Sequence, residues 1–122
     1  HGIELILDRG RVGETYNIGG NNEQHNIDIV RLVCSIMDDI FNENPEMEKR
    51  FPKAPPTRDR QSNTLITHVK DRAGHDRRYA VDAKKISTDL GYRPKVSFKT
   101  GLKTTIDWYL DNEDWWTRLA PR

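Results

Sequence analysis

The sequence predicts a small mixed α/β domain: about three helices, a helical N-terminal remnant and two or three short strands. Three observations predict it. Apolar residues recur at helical period from Ile27 to Phe41. A second, narrower stripe runs through the segment 98–111. Between them lie short β-prone runs bounded by turn residues, such as Glu14 to Ile18 and Leu65 to Val69. At 122 residues, length alone suggests one domain, 1–122.

The elements follow in order. Residues 3–9 (IELILDR) read as the tail of a helix, ended by Gly10 and Gly13. Glu14-Thr15-Tyr16-Asn17-Ile18 reads as a strand running into Gly19-Gly20. Asn26 is placed as N-cap of the helix 27–41, with Asp28 in its first turn to complement the dipole. Cys34 lies off the centre of that helix's apolar stripe and reads as a small filler. From Asn42 to Asn63 periodicity is lost, and four of the six prolines fall there (Pro45, Pro52, Pro55, Pro56). This stretch reads as a long surface loop. Leu65 to Val69 reads as a second strand and Tyr79-Ala80-Val81 as a further extended segment. Asp82 then caps a short helix, Ala83 to Leu90, with Gly91 just past its end. Ser97 is the expected N-cap of the last helix, whose apolar face is Leu102, Ile106, Tyr109 and Leu110. Trp115-Trp116 follow as a cover for an exposed core edge.

Composition excludes several classes. No apolar run approaches the roughly 18 residues of a membrane span. The N-terminus has no basic region leading into an apolar stretch, so it does not read as a signal peptide. A single cysteine excludes a disulfide framework and leaves the cytoplasm as the expected compartment. Twenty basic residues are offset by 19 acidic ones and spread along the chain, which is not the footprint of a nucleic-acid binder. The histidines, at 1, 25, 68 and 75, form no helical metal-ligand pair, so no metal site is expected. No G-x-G-x-x-G loop joins a strand to a helix.

The remaining signal for chemistry is Asp71-Arg72-Ala73-Gly74-His75-Asp76-Arg77-Arg78-Tyr79. Three arginines, a histidine and a glycine fall within nine residues. Guanidinium groups offer a planar fork of donors that suits phosphate oxygens. A glycine lets backbone approach an anion closely, and His75 can donate a further hydrogen bond. One reading is a diphosphate clamp. The other is a solvated loop whose arginines pair with Asp71 and Asp76. The loop Gly19 to Asn26 is a second candidate, because amides at a helix N-terminus suit an anion; a plain cap at Asn26 is the alternative there.

Gly13-Glu14-Thr15-Tyr16-Asn17-Ile18-Gly19-Gly20, with Asn22-Glu23 and Asn26, resembles the C-terminal part of the dTDP-glucose 4,6-dehydratases. So do the segment Asp71 to Ala80, Lys85-Ile86, Leu90-Gly91-Tyr92, Gly101-Leu102 and Trp108-Tyr109-Leu110 with Trp115-Trp116. The match spans nearly the whole chain except 42–63. The resemblance implies the small C-terminal substrate-binding domain of an extended short-chain dehydrogenase/reductase. Such enzymes bind NAD in an N-terminal Rossmann domain. They convert dTDP-glucose to dTDP-4-keto-6-deoxyglucose and water, with hydride leaving C4 for NAD⁺ and returning to C6.

By the same resemblance, Asn26, Arg72 and His75 match contacts to the nucleotide diphosphate, and Asp71, Ala73 and Gly74 complete their loop. Ala73 stands where the family usually has proline. The family's catalytic and cofactor-binding residues have no counterpart here, so neither set is expected in this chain. A fragment lacking its Rossmann half, and inactive by itself, is therefore expected. The complete enzyme would be a homodimer in nucleotide-sugar metabolism, with rhamnose synthesis the usual destination of its product. The alternatives are a related nucleotide-sugar epimerase or decarboxylase, or a non-catalytic nucleotide-sugar-binding module.

Overall fold

The computed structural model describes residues 1–75 and 79–119. Its elements are α1 (Gly2–Arg9), α2 (Asn26–Glu43), α3 (Glu46–Arg50), α4 (Lys84–Leu90), α5 (Phe98–Asp111) and α6 (Glu113–Thr117). Two 3₁₀ turns, Pro56–Arg58 and Ser62–Leu65, lie between α3 and α4. The chain divides into two compact units, His1–Glu23 with Tyr79–Arg122, and Gln24–Arg78.

The first unit is built on α1 and α4. Ala83, Ile86 and Leu90 form its buried centre, with Leu5, Ile6, Tyr16 and Tyr92 packed against them. Arg9 donates from its guanidinium to the Leu90 carbonyl at 2.9 Å, satisfying an orphan acceptor at the end of α4. Gly91 ends α4 at φ 69°, a left-handed conformation that suits glycine, and its amide bonds to the Ile86 and Ser87 carbonyls. Asp82 accepts from the Lys84 amide at 2.8 Å, so it serves the first turn although Ala83 holds the cap position. Gly2 is buried, and a Cβ there would lie 3.1 Å from Ile18 Cδ1 and 3.3 Å from Tyr92. Lys85 ties the segment before Gly19 to α4. Its ammonium reaches Glu14 Oε2 at 2.5 Å and the Thr15 carbonyl at 3.0 Å, and sits 4.8 Å from the centre of the Tyr16 ring.

α5 begins as expected, with the Ser97 hydroxyl accepting from the Thr100 amide at 3.2 Å. Of its expected apolar face, Leu102, Ile106 and Leu110 are half-buried while Tyr109 is exposed. α6 folds back on α5 through the Trp116 indole, which donates to the Tyr109 carbonyl at 2.8 Å. Trp108 meets both Tyr109 and Trp115 edge-on at 5.3 Å.

The second unit is organised on α2, which buries Ile36 and Phe41. Instead of forming an open loop, the stretch 42–63 carries α3 and both 3₁₀ turns, packed on α2. Met47 is buried, Phe51 lies against Phe41 with ring centres 6.3 Å apart, and the Ser62 amide donates to Asp38 Oδ1 at 2.8 Å. Prolines at the start of the short turns preset φ there rather than breaking structure.

The expected α/β class is wrong: no strand occurs among the described residues. Glu14 to Ile18 and Tyr79 to Val81 carry no regular element, and Leu65 ends a 3₁₀ turn. β-prone residues favour an extended backbone, but a strand exists only where a neighbouring backbone completes the ladder. Near Asn17 the crossing bond is instead made by a side chain, from Asn17 Nδ2 to the Asp82 carbonyl at 3.3 Å.

Candidate functional site

The sequence places its strongest candidates in the loop that follows the second 3₁₀ turn of the α2 unit. Asp71 organises this loop. Its Oδ1 accepts from the Arg72 amide at 2.8 Å and lies 2.6 Å from His75 Nδ1. The His75 amide returns to the Arg72 carbonyl at 3.4 Å, closing a turn over 72–75. Gly74 sits at φ 73°, and a Cβ there would meet nothing within 4 Å. Conformation, not space, demands glycine at this position. The hydrogen bond from His75, aided by the Arg72 amide, holds the Asp71 carboxyl below its ordinary value. Asp71 is therefore an ionised acceptor in neutral solution.

All five residues from Asp71 to His75 are exposed. The Arg72 guanidinium makes no ion pair or hydrogen bond among the described residues. Of the two acids in the loop, Asp71 is engaged by His75 and by the Arg72 backbone. Asp76, Arg77 and Arg78 lie outside the described residues.

Asn26 is not the N-cap. His25 holds that position at φ −71° and ψ 141°, its carbonyl accepting from the Asp28 and Ile29 amides. Asn26 is the first residue of α2, and no side chain caps the helix. The amide of Asn26 is consequently not spent on capping. It is exposed, beside helix amides that favour negative charge. The structure thus brings Asp71, Arg72 and His75 together through hydrogen bonds. No hydrogen bond joins Asn26 to them among the described residues.

The other candidates carry no site. Cys34 is half-buried beside an open polar groove of about 340 Å³ that also involves Arg31 and Asp38. Burial, and secondarily the Asp38 charge, push its thiol pKa up, which disfavours a nucleophilic thiolate. Among the described residues no group of three or more His, Cys, Asp or Glu side chains could hold a metal ion. No helix among them is long and apolar enough to cross a membrane. Sequence reasoning missed the contact of Lys85 with Glu14. It joins positions far apart in the chain, and no local pattern signals it.

A helical chain presenting an arginine, a histidine and an asparagine amide to solvent is suited to an anionic ligand, and the comparisons specify the class. The chain belongs to the family described as GDP-mannose 4,6 dehydratase, whose sequence model matches residues 1–105. Within that class it is similar to the dTDP-glucose 4,6-dehydratase of Escherichia coli, at 45% identity over 114 residues, 93% of this chain and 28% of the relative. It is likewise similar to the dTDP-glucose 4,6-dehydratase of Neisseria meningitidis, at 46% identity over 114 residues, 93% of this chain and 29% of the relative. A solved dTDP-glucose 4,6-dehydratase from Bacillus anthracis, in complex with NAD, superposes with a TM-score of 0.74 at 35% identity, covering 98% of this chain and 30% of that one. The chain spans less than a third of the length of these relatives.

Proposed function

We propose that this chain is the dTDP-sugar-binding part of a dTDP-glucose 4,6-dehydratase that converts dTDP-glucose to dTDP-4-keto-6-deoxyglucose and water. Arg72 and His75, with Asn26, receive the diphosphate, and Asp71, Ala73 and Gly74 shape the loop that presents them. One observation carries the reading: the Arg72 guanidinium is exposed and unpaired among the described residues, while the neighbouring Asp71 carboxylate is already engaged. A diphosphate is the dianion such a fork can meet at two oxygens. The relatives named above, all dehydratases of dTDP-glucose, supply the identity of the sugar nucleotide. They favour a dehydratase over an epimerase, a decarboxylase or a non-catalytic module.

NAD belongs to the complete enzyme, but the residues of this chain do not fit it. No strand, glycine-rich loop and helix in succession occur among the described residues to cradle a dinucleotide. The cofactor would be held elsewhere in the protein, and no catalytic step is assigned here. What this chain contributes is binding and orientation of the substrate's anionic end, as a nucleotide-sugar-binding domain of a cytoplasmic, homodimeric enzyme. By itself it would not turn over.

The test is an incubation of the full-length protein that carries this sequence with dTDP-glucose and NAD. Mass spectrometry should show a sugar nucleotide lighter by one water. The 122-residue chain under the same conditions should return the substrate unchanged. Recovery of unchanged dTDP-glucose from the full-length protein would contradict the assignment.

A further inference from the structure

The diphosphate reading of this loop poses a question about His75. The oxygens of a diphosphate only accept hydrogen bonds, and so does an ionised carboxylate. Asp71 Oδ1 lies 2.6 Å from His75 Nδ1, and Asp71 is ionised, so the hydrogen in that contact belongs to Nδ1. A neutral imidazole has a single N–H. With that one spent on Asp71, a neutral ring would offer the anion only a bare lone pair at Nε2. The imidazolium carries a hydrogen on both nitrogens. Resting on the diphosphate reading, we infer that His75 receives the diphosphate as an imidazolium, held by Asp71 through Nδ1 and donating from Nε2, so that substrate binding takes up a proton.

The local geometry supports this. Asp71 Oδ1 also accepts from the Arg72 amide at 2.8 Å, which fixes the carboxylate against the ring it would charge. The left-handed turn at Gly74 brings position 75 back over position 71. The His75 side chain is 37% exposed, so a ligand reaches it from solvent. The charged groups of the turn are Asp71 and Arg72; Asp76, Arg77 and Arg78 follow in sequence. The carboxylate favours an imidazolium and the guanidinium opposes it. An imidazole changes charge between pH 5 and 8. A dianion arriving beside it therefore tips the balance in neutral solution, and anion and proton each strengthen the other's binding.

The probe is the methyl ester of dTDP. Its diphosphate is a dianion with no group that titrates near neutrality, and it has no sugar to react. Calorimetric titration of the full-length protein in buffers of different ionisation enthalpy counts the protons taken up. If the dianion moves an ordinary imidazole from about 6.5 to about 7.5, roughly 0.4 proton enters per site at pH 7.5, and affinity falls about fivefold from pH 6.5 to pH 8.5. His75→Gln keeps a donor without a charge, so it should lose both the uptake and the fall. Asp71→Asn keeps the acceptor and loses the charge, so the fall should move to lower pH.

A proton count that His75→Gln leaves unchanged would overturn the inference. So would a fall in affinity that Asp71→Asn leaves in place. If Arg72→Ala weakens binding of the ester while no proton uptake depends on His75, the diphosphate site stands and the imidazolium falls. If neither Arg72→Ala nor His75→Gln weakens binding, both fall.

Discussion

Arg72 is the residue on which affinity should turn. A charge-assisted contact of its kind contributes about 1.5–3 kcal/mol. Arg72→Ala, made in the complete enzyme, should weaken dTDP binding by roughly 10- to 150-fold. Arg72→Lys should recover only part of this, since an ammonium keeps the charge and loses the fork. His75→Ala should fall between, and alanine at Arg77 or Arg78 should change little; calorimetric titration at fixed salt checks the series. Composition leaves the loop 71–79 open between a diphosphate clamp and a solvated loop, and only the family resemblance favours the clamp. The hydrogen bonds of Asp71 to His75 and to the Arg72 amide were not legible, because they depend on how the turn at Gly74 folds position 75 onto position 71.

Lys85 poses a different residue-scale question. Its hydrogen bond to Glu14, followed by their charge attraction, lowers the Glu14 pKa from 4.5; the hydrogen bond, together with attraction to Glu14, also raises that of Lys85 from 10.5. A depressed acid contributes stability above its unfolded value, lost as pH falls through the folded one. A raised base contributes below its unfolded value, lost as pH rises through the folded one. The melting-temperature gap between the parent and Lys85→Met should therefore hold steady between pH 4.5 and 10.5 and narrow outside that window. A gap independent of pH would mean that Lys85 acts only by packing on Tyr16.

At the scale of elements, α2, α4 and α5 were legible, the short helices α3 and α6 were not, and the expected strands do not form among the described residues. Helices announce themselves through local periodicity and caps, and α5 shows both in Ser97 and its half-buried stripe. Residues 14–18 and 65–69 have the side chains of strands but no backbone partner among the described residues, a matter no local pattern settles. The stretch 42–63 was misread for a related reason. Prolines removed the periodic signal, yet Met47 and Phe51 anchor short turns on α2. Two substitutions test the helix ends. Ser97→Ala removes the cap of α5 and should cost about 1 kcal/mol. Gly91→Ala forces a Cβ into φ 69° and should cost about 1–2 kcal/mol. Denaturant titration of each against the parent gives both values.

For the whole molecule, this chain amounts to less than a third of the dehydratases it resembles, and its two units are each organised on a few helices. Among the described residues, Ile86 alone of the large side chains is fully buried. So thin a core agrees with a composition that is 34% hydrophobic. The central claim is that this loop and the start of α2 receive the diphosphate of a dTDP-sugar. Hydrogen–deuterium exchange of the full-length protein, with and without saturating dTDP, tests it most directly. The account predicts that amides at 71–75 and in the first turn of α2 gain protection when dTDP binds. Protection that appears elsewhere in the protein and leaves both segments unchanged would contradict it.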